Sequence, residues 1–260
     1  MRAVLSYLGS ALVSGRLLSM GVIQGAKERA RAEVAGAIKD QARMQLAAEG
    51  AARLSLRAVA RELGMVSSAL YRYFPSRDDL LTALIVDAYD AIGEAAESAF
   101  VKAGAADPLH AWGGVCRAVR GWALAHPHEY ALIYGSPVPG YAAPQDTVAP
   151  ASRVALVLLA VAEAAHEAGA LTEPDLPAAD CDSVVAEEIR QLLEQPDRTL
   201  PAAVAPRLAA AWAQLFGLIS FEVFGQFNQV IDDRDTLFEK TVVALAHQVG
   251  LRSTGSGAGT

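Results

Sequence analysis

The stretch that decides the fold reads Leu54-Ser-Leu-Arg-Ala-Val-Ala-Arg-Glu-Leu-Gly-Met-Val-Ser-Ser-Ala-Leu-Tyr-Arg-Tyr-Phe-Pro-Ser-Arg77. Leu56, Val59, Ala60 and Leu63 fall at i, i+3, i+4 and i+7, the apolar stripe of a short amphipathic helix. Ser55 stands before the stripe, where a hydroxyl accepts from an orphan N–H. Gly64 follows it, where the chain turns and a positive φ is cheapest for glycine. Ser67 is placed to cap a second helix, with Val66, Leu70 and Phe74 packing back on the first. Ser68, Ala69, Arg72 and the rings of Tyr71 and Tyr73 are then left outward. Pro75 ends the helix, and Ser76-Arg-Asp-Asp79 forms a capping box for the next. Two short helices about a glycine predict a helix-turn-helix, which lays one helix in the major groove of DNA.

The run Leu70-Tyr-Arg-Tyr-Phe-Pro-Ser-Arg-Asp-Asp-Leu-Leu81, preceded by Leu63-Gly-Met-Val-Ser-Ser-Ala69, resembles the TetR family of transcriptional regulators over residues 27–100. Turn, aromatic pair, Phe-Pro and following helix come in the family's order. The resemblance implies an all-α homodimer: a three-helix DNA-binding domain, a connecting fourth helix, and a C-terminal ligand-binding domain. It also implies DNA contacts at Ser55, Arg57, Ser67, Ser68, Ala69, Tyr71, Arg72, Tyr73 and Arg77. Arg77 stands where the family often has lysine; either meets a phosphate, and arginine does so bidentately.

Charge agrees with that division of labour. The chain has 260 residues and a net charge of −7. Yet residues 25–77 hold ten Lys/Arg against five Asp/Glu, and residues 78–260 hold ten against twenty-four. A basic head on an acidic body attracts phosphates at one end only. Length and alanine-rich composition predict two helical domains with about nine helices. Cys116 and Cys181 form no C-x-x-C motif and read as idle thiols in the cytoplasm. No Gly-x-Ser-x-Gly, phosphate-cradling loop or zinc-hydrolase motif suggests an enzyme, and no cofactor is expected.

The expected organisation is an extension at 1–24, the DNA-binding domain at 25–77, a connecting helix at 78–104, a ligand-binding and dimerisation domain at 105–250, and a flexible tail at 251–260. Residues 3–15 carry no charge and resemble the apolar core of a signal peptide, too short to span a bilayer. A non-essential extension, with Met20 as the alternative start, is the preferred reading; an additional docked helix or a membrane signal are the others. Helices are expected at 27–49, 77–102, 109–125, 152–168, 206–229 and 235–249, beside the two of the head, with a short one at 183–193. Trp122, His126-Pro-His-Glu-Tyr130 and Tyr134, followed by Pro139-Gly-Tyr141, resemble one subgroup of the same family.

Trp212, Leu215, Phe216, Ile219, Val223, Phe224 and Phe227 make one wide apolar stripe. With the last helix it suits a four-helix dimer seam, as the resemblance implies; burial within one chain is the alternative. Trp112, Trp122, Tyr130, Tyr134, Phe216 and Phe224 are the candidate lining of an effector pocket, although each suits plain core. His126, His128 and Glu129 have no third ligand fixed by spacing, so His126 reads as a helix end and no metal site is expected. The whole predicts a cytoplasmic, dimeric, ligand-responsive repressor. Its partners are a double-stranded palindromic operator and a small apolar or aromatic effector of unknown identity, with no membrane partner. An effector-independent activator or architectural protein is the runner-up, and a protein-interaction module the third class.

Overall fold

A computed structural model describes residues 22–104, 107–172, 200–201 and 204–253. The expectations for residues 1–21 of the N-terminal extension, the helix at 183–193, Cys181 and residues 254–260 lie outside them, while residues 22–24 already belong to the first helix. Among the described residues are nine α-helices: α1 (Val22–Glu49), α2 (Leu56–Glu62), α3 (Ser67–Leu70), α4 (Arg77–Ala103), α5 (Pro108–Ala125), α6 (Pro127–Tyr134), α7 (Val148–Glu167), α8 (Val204–Val223) and α9 (Arg234–Val249). The all-α expectation holds. The chain forms two compact units, one up to Ala88 with His128–Thr147, the other Tyr89–Pro127 with everything from Val148.

In the first unit, α1 turns Ile38, Ala42 and Leu46 inward at four-residue spacing, onto Leu54, Leu56, Val59, Ala60, Leu70, Leu80, Leu81 and Leu84. The helix-turn-helix forms for the reasons its sequence gives. Ser55 Oγ accepts from the Ala58 N–H at 3.4 Å and so starts α2. At its other end Gly64 takes φ +64°, Met65 N–H donates to Ala60 O (2.8 Å) and Gly64 N–H to Arg61 O (3.1 Å). This is a Schellman motif, and a side chain at Gly64 would strain it. Asp79 N–H donates to Ser76 Oγ (3.1 Å), and that hydroxyl donates to the Asp79 carboxylate (2.7 Å). Two acidic residues thus open α4, where the helix dipole favours them.

The segment 128–147, within the domain expected at 105–250, packs with this unit. Leu132, Val138 and Tyr141 pack on the head's core. Tyr141 and Thr82 share a hydroxyl–hydroxyl bond of 2.9 Å. Arg43 gathers three carboxylates, Asp40 (2.7 Å), Asp87 (2.6 Å) and Glu129 (3.3 Å), and Lys39 also meets Asp87 at 2.7 Å. Sequence order concealed this, because the docking residues come more than forty positions after Ala88.

In the second unit α8 packs against α9, and α5 against α7, α8 and α9. Asp107 caps α5, accepting from Leu109 and His110 N–H. α5 buries Trp112, whose Nε1 donates to Val242 O in α9 at 3.0 Å. Burial pushes the Cys116 thiol well above its ordinary range, against the opposing pull of the Arg117 charge. α8 stops at Val223, short of the expected 229, because Gly225 adopts φ +78° and the chain runs on in turns. The expected single stripe of α8 divides: Leu215, Phe216 and Ile219 are buried, while Trp212 and Phe224 remain exposed, as does Phe221 beside them. Leu251, assigned to a flexible tail, is instead buried and bridged to Leu171.

Candidate nucleic-acid interface

The front of the helix-turn-helix is built by a very short helix. α3 has four residues, and Tyr71–Tyr73 continue it as a turn, with Arg72 N–H donating to Ala69 O and Tyr73 N–H to Leu70 O. The helix expected to reach Phe74 therefore ends at Leu70. Leu70 is fully buried and anchors it, and Phe74 packs half-buried on the same core. Ser67 is not the cap: Val66 occupies that position, with no side-chain capping bond. Val66 also departs from its expected inward place. It is 70% exposed, because α3 begins only after it and Leu70 alone points down.

The candidate contacts fall into two groups. Arg57, Ser67, Ser68, Tyr71 and Arg72 are exposed. The guanidinium groups of Arg57 and Arg72 have no hydrogen-bonded or ion-pair partner among the described residues, unlike those of Arg43 and Arg77. Ser55, Ala69, Tyr73 and Arg77 are half-buried. Ser55 is occupied as a cap. Tyr73 packs against the core, with the Arg31 guanidinium 5.5 Å above its ring; Arg31 also donates to Arg72 O at 3.4 Å. A cation over an aromatic face adds a modest attraction that steadies the ring.

Arg77 is the largest departure from expectation. It opens α4, yet its guanidinium turns back into the protein. Nη2 donates to Ala51 O (2.8 Å) and Ala52 O (3.4 Å), Nε donates to Leu54 O (3.2 Å), and Nη1 faces Asp78 (3.4 Å). Nothing in the local pattern foretold this, since the carbonyls lie more than twenty residues away. Basic side chains along the start of α1, Lys27, Arg29 and Arg31, are exposed.

The aromatic set proposed for an effector is split. Tyr130 and Tyr134 lie in the first unit, with ring centroids 5.1 Å apart. Trp112, Trp122, Phe216 and Phe224 lie in the second. Trp112 and Tyr130 are fully buried core. Trp122 stacks on His126 at 5.1 Å, and His126 Nδ1 meets Trp122 O at 3.0 Å, which is the helix-end role expected of that histidine. No cluster of three or more metal-ligating side chains occurs among the described residues.

Comparison with known proteins places this geometry. A family model described as bacterial regulatory proteins, tetR family, matches residues 38–84, and one described as tetracyclin repressor-like, C-terminal domain, matches residues 112–245. The HTH-type transcriptional regulator Rv1816 of Mycobacterium tuberculosis (strain ATCC 25618 / H37Rv) is 41% identical over 223 residues, covering 83% of this chain and 92% of its own. Its counterpart Mb1846 of Mycobacterium bovis gives the same values. Among solved structures, the regulatory protein SCO4313 superposes with a TM-score of 0.71 at 36% identity, over 85% of this chain and 98% of that one. A regulatory protein in the tetR family from Rhodococcus RHA1 shares the fold, with a TM-score of 0.57 at 17% identity, over 84% and 97%.

Proposed function

The chain belongs to the TetR family of bacterial transcriptional regulators, and from that premise we propose that it is a dimeric, ligand-responsive repressor working in the cytoplasm. The observation that carries the DNA-binding half is the exposed face of the helix-turn-helix. Small serines at 67 and 68 let the backbone approach base edges, and Arg57 and Arg72 stand beside them with no acceptor of their own. Tyr71 offers a hydroxyl on the same face. Val66, apolar and exposed at the front of α3, suits the methyl group of thymine.

Two such heads on a palindrome require two copies of the chain at fixed spacing. Trp212, Phe221 and Phe224 on α8 and its continuation, with Val243 on α9, leave aromatic and aliphatic surface exposed, and this surface supports a subunit seam. An apolar or aromatic effector in the body would act through α4, whose residues fall in both units. Only a difference in its affinity for the two head spacings moves the equilibrium.

The test begins with selection of bound sequences from random duplex DNA, followed by binding titrations on the selected site. The expected result is a palindrome bound by a particle of twice the 27.3 kDa chain mass in light scattering. Arg57→Ala should weaken binding and flatten the salt dependence by about one unit of slope. A monomer, or a protein that selects no duplex at physiological salt, contradicts the proposal. A library of small aromatics screened for release of the DNA tests the effector half.

A further inference from the structure

The turn between α1 and α2 is a single 3-10 turn, closed by Arg53 N–H to Gly50 O (3.2 Å) and Leu54 N–H to Ala51 O (3.3 Å), and side chains brace it further. Of its successive carbonyls, Ala51 O, Ala52 O and Leu54 O accept from Arg77, and Arg53 O accepts from Gln45 Nε2 at 3.4 Å. The other end of the same Gln45 amide accepts from Ser55 N–H at 3.2 Å. Ser55 is the cap of α2, and Arg57 lies in its first turn. Two side chains, one from α1 and one from the start of α4, therefore grip five consecutive residues that end where α2 begins.

We propose that Arg77 and Gln45 form a clamp that fixes the direction in which α2 delivers Arg57 to the operator, so that Arg77 is a positioning residue rather than a phosphate contact. This rests on the DNA-binding reading above and deepens it. A guanidinium is suited to the task because its planar donors reach two or more carbonyls at once, whereas an ammonium offers a point charge without that fork. Each buried-side donor of Arg77 is already engaged, and a phosphate would have to compete with carbonyls at 2.8–3.4 Å.

The experiment compares wild type, Arg77→Lys, Arg77→Gln and Arg57→Ala, with the Arg57→Ala/Arg77→Gln double variant, on the selected duplex across a salt series. All are measured well below their melting temperatures, so that fold stability alone leaves affinity unmoved. The clamp predicts that Lys and Gln at 77 both weaken binding, by about fivefold or more, with the salt slope of wild type. It further predicts that the Arg77→Gln loss shrinks severalfold once Arg57 is absent, since positioned and positioning groups are coupled. A phosphate contact predicts the reverse: Lys close to wild type, Gln with a slope flatter by about one, and additive losses. That pattern, or unchanged affinity in both variants, overturns the inference. Amide exchange over residues 51–58 in the free protein is the second measurement, and Gln45→Ala the second variant should Arg77→Gln not fold. The variants must speed exchange there; if they do not, the clamp is wrong. Failure of wild type to bind any duplex would instead remove the regulator reading, while the exchange result still decides whether the clamp exists.

Discussion

Replacing Arg120 with methionine should cost the second unit more than any other single charge removal described. Arg120, on α5, donates to both oxygens of Glu222 (Nε–Oε2 and Nη2–Oε1, each 2.7 Å) and lies 4.7 Å above the Phe238 ring. Their side chains are only 14% and 9% exposed. Glu222 is in the last turn of α8, and Asp235, also 2.7 Å from Arg120, in the first turn of α9, so one guanidinium ties three helices. The bond to Glu222 is the main reason the Arg120 pKa lies above its ordinary value. Arg120→Met strands the Glu222 carboxylate in a water-poor site, a loss of about 3–5 kcal/mol for a broken buried pair. For a domain of this size that lowers Tm by roughly 6–20 °C. Asp235 is 87% exposed, so Asp235→Asn should cost less than about 1 kcal/mol. The Arg120→Met/Glu222→Met double variant removes both charges and should regain most of the loss. Urea unfolding at constant m, with thermal melts alongside, measures all three. The reasoning is refuted if Arg120→Met costs no more than Asp235→Asn, or if the double variant is no better than the single.

Three further outcomes are expected. A Cβ at Gly93 would sit 2.8 Å from Arg153 Cβ and Nε, where that side chain crosses α4 to bind Glu97 bidentately (2.8 Å) and Asp90 (2.7 Å). Gly93→Ala should therefore destabilise by about 1–2 kcal/mol in wild type, and Arg153→Ala should relieve only part of that loss, because its Cβ still stands 2.8 Å from the new one, as chemical unfolding of the four proteins would show. Asp233 caps α9, and its hydrogen bonds from Thr236 hold its carboxyl below the ordinary 3.8. Its stabilisation is present above 3.8 and is lost as pH falls through the lower folded value, so melts at descending pH should show a loss that Asp233→Asn, which keeps an acceptor, lacks. If Val66 meets thymine methyls, replacing the thymines of the selected operator by deoxyuridine should weaken wild type by about a fewfold in anisotropy titrations and leave Val66→Ser indifferent.

The turn and several helix starts were legible because they depend on neighbours in sequence. Ser55, Gly64 and Ser76 announce caps and a left-handed residue, and the stripes of α1, α2, α4 and α9 repeat at helical spacing. The basic head was legible as a charge count. What the sequence concealed was long-range. Arg77 looks like a free cation until Ala51, Ala52 and Leu54 come into reach. Val66 looks like core until α3 proves too short to turn it inward. Tyr130 and Tyr134 follow the body helix α5 in sequence but fold with the head, since Leu132, Val138 and Tyr141 find their apolar partners there.

That last placement bears on attempts to build chimeric regulators. The chain leaves the DNA-binding unit at Ala88, returns at His128 and leaves again after Thr147, so the unit is interleaved, with three splice points where a linear module has one. A transplant that stops at α4 would strip Leu132, Val138 and Tyr141 from the donor's core and take Glu129 from Arg43. The graft that survives will be the one that carries its second, distant piece along.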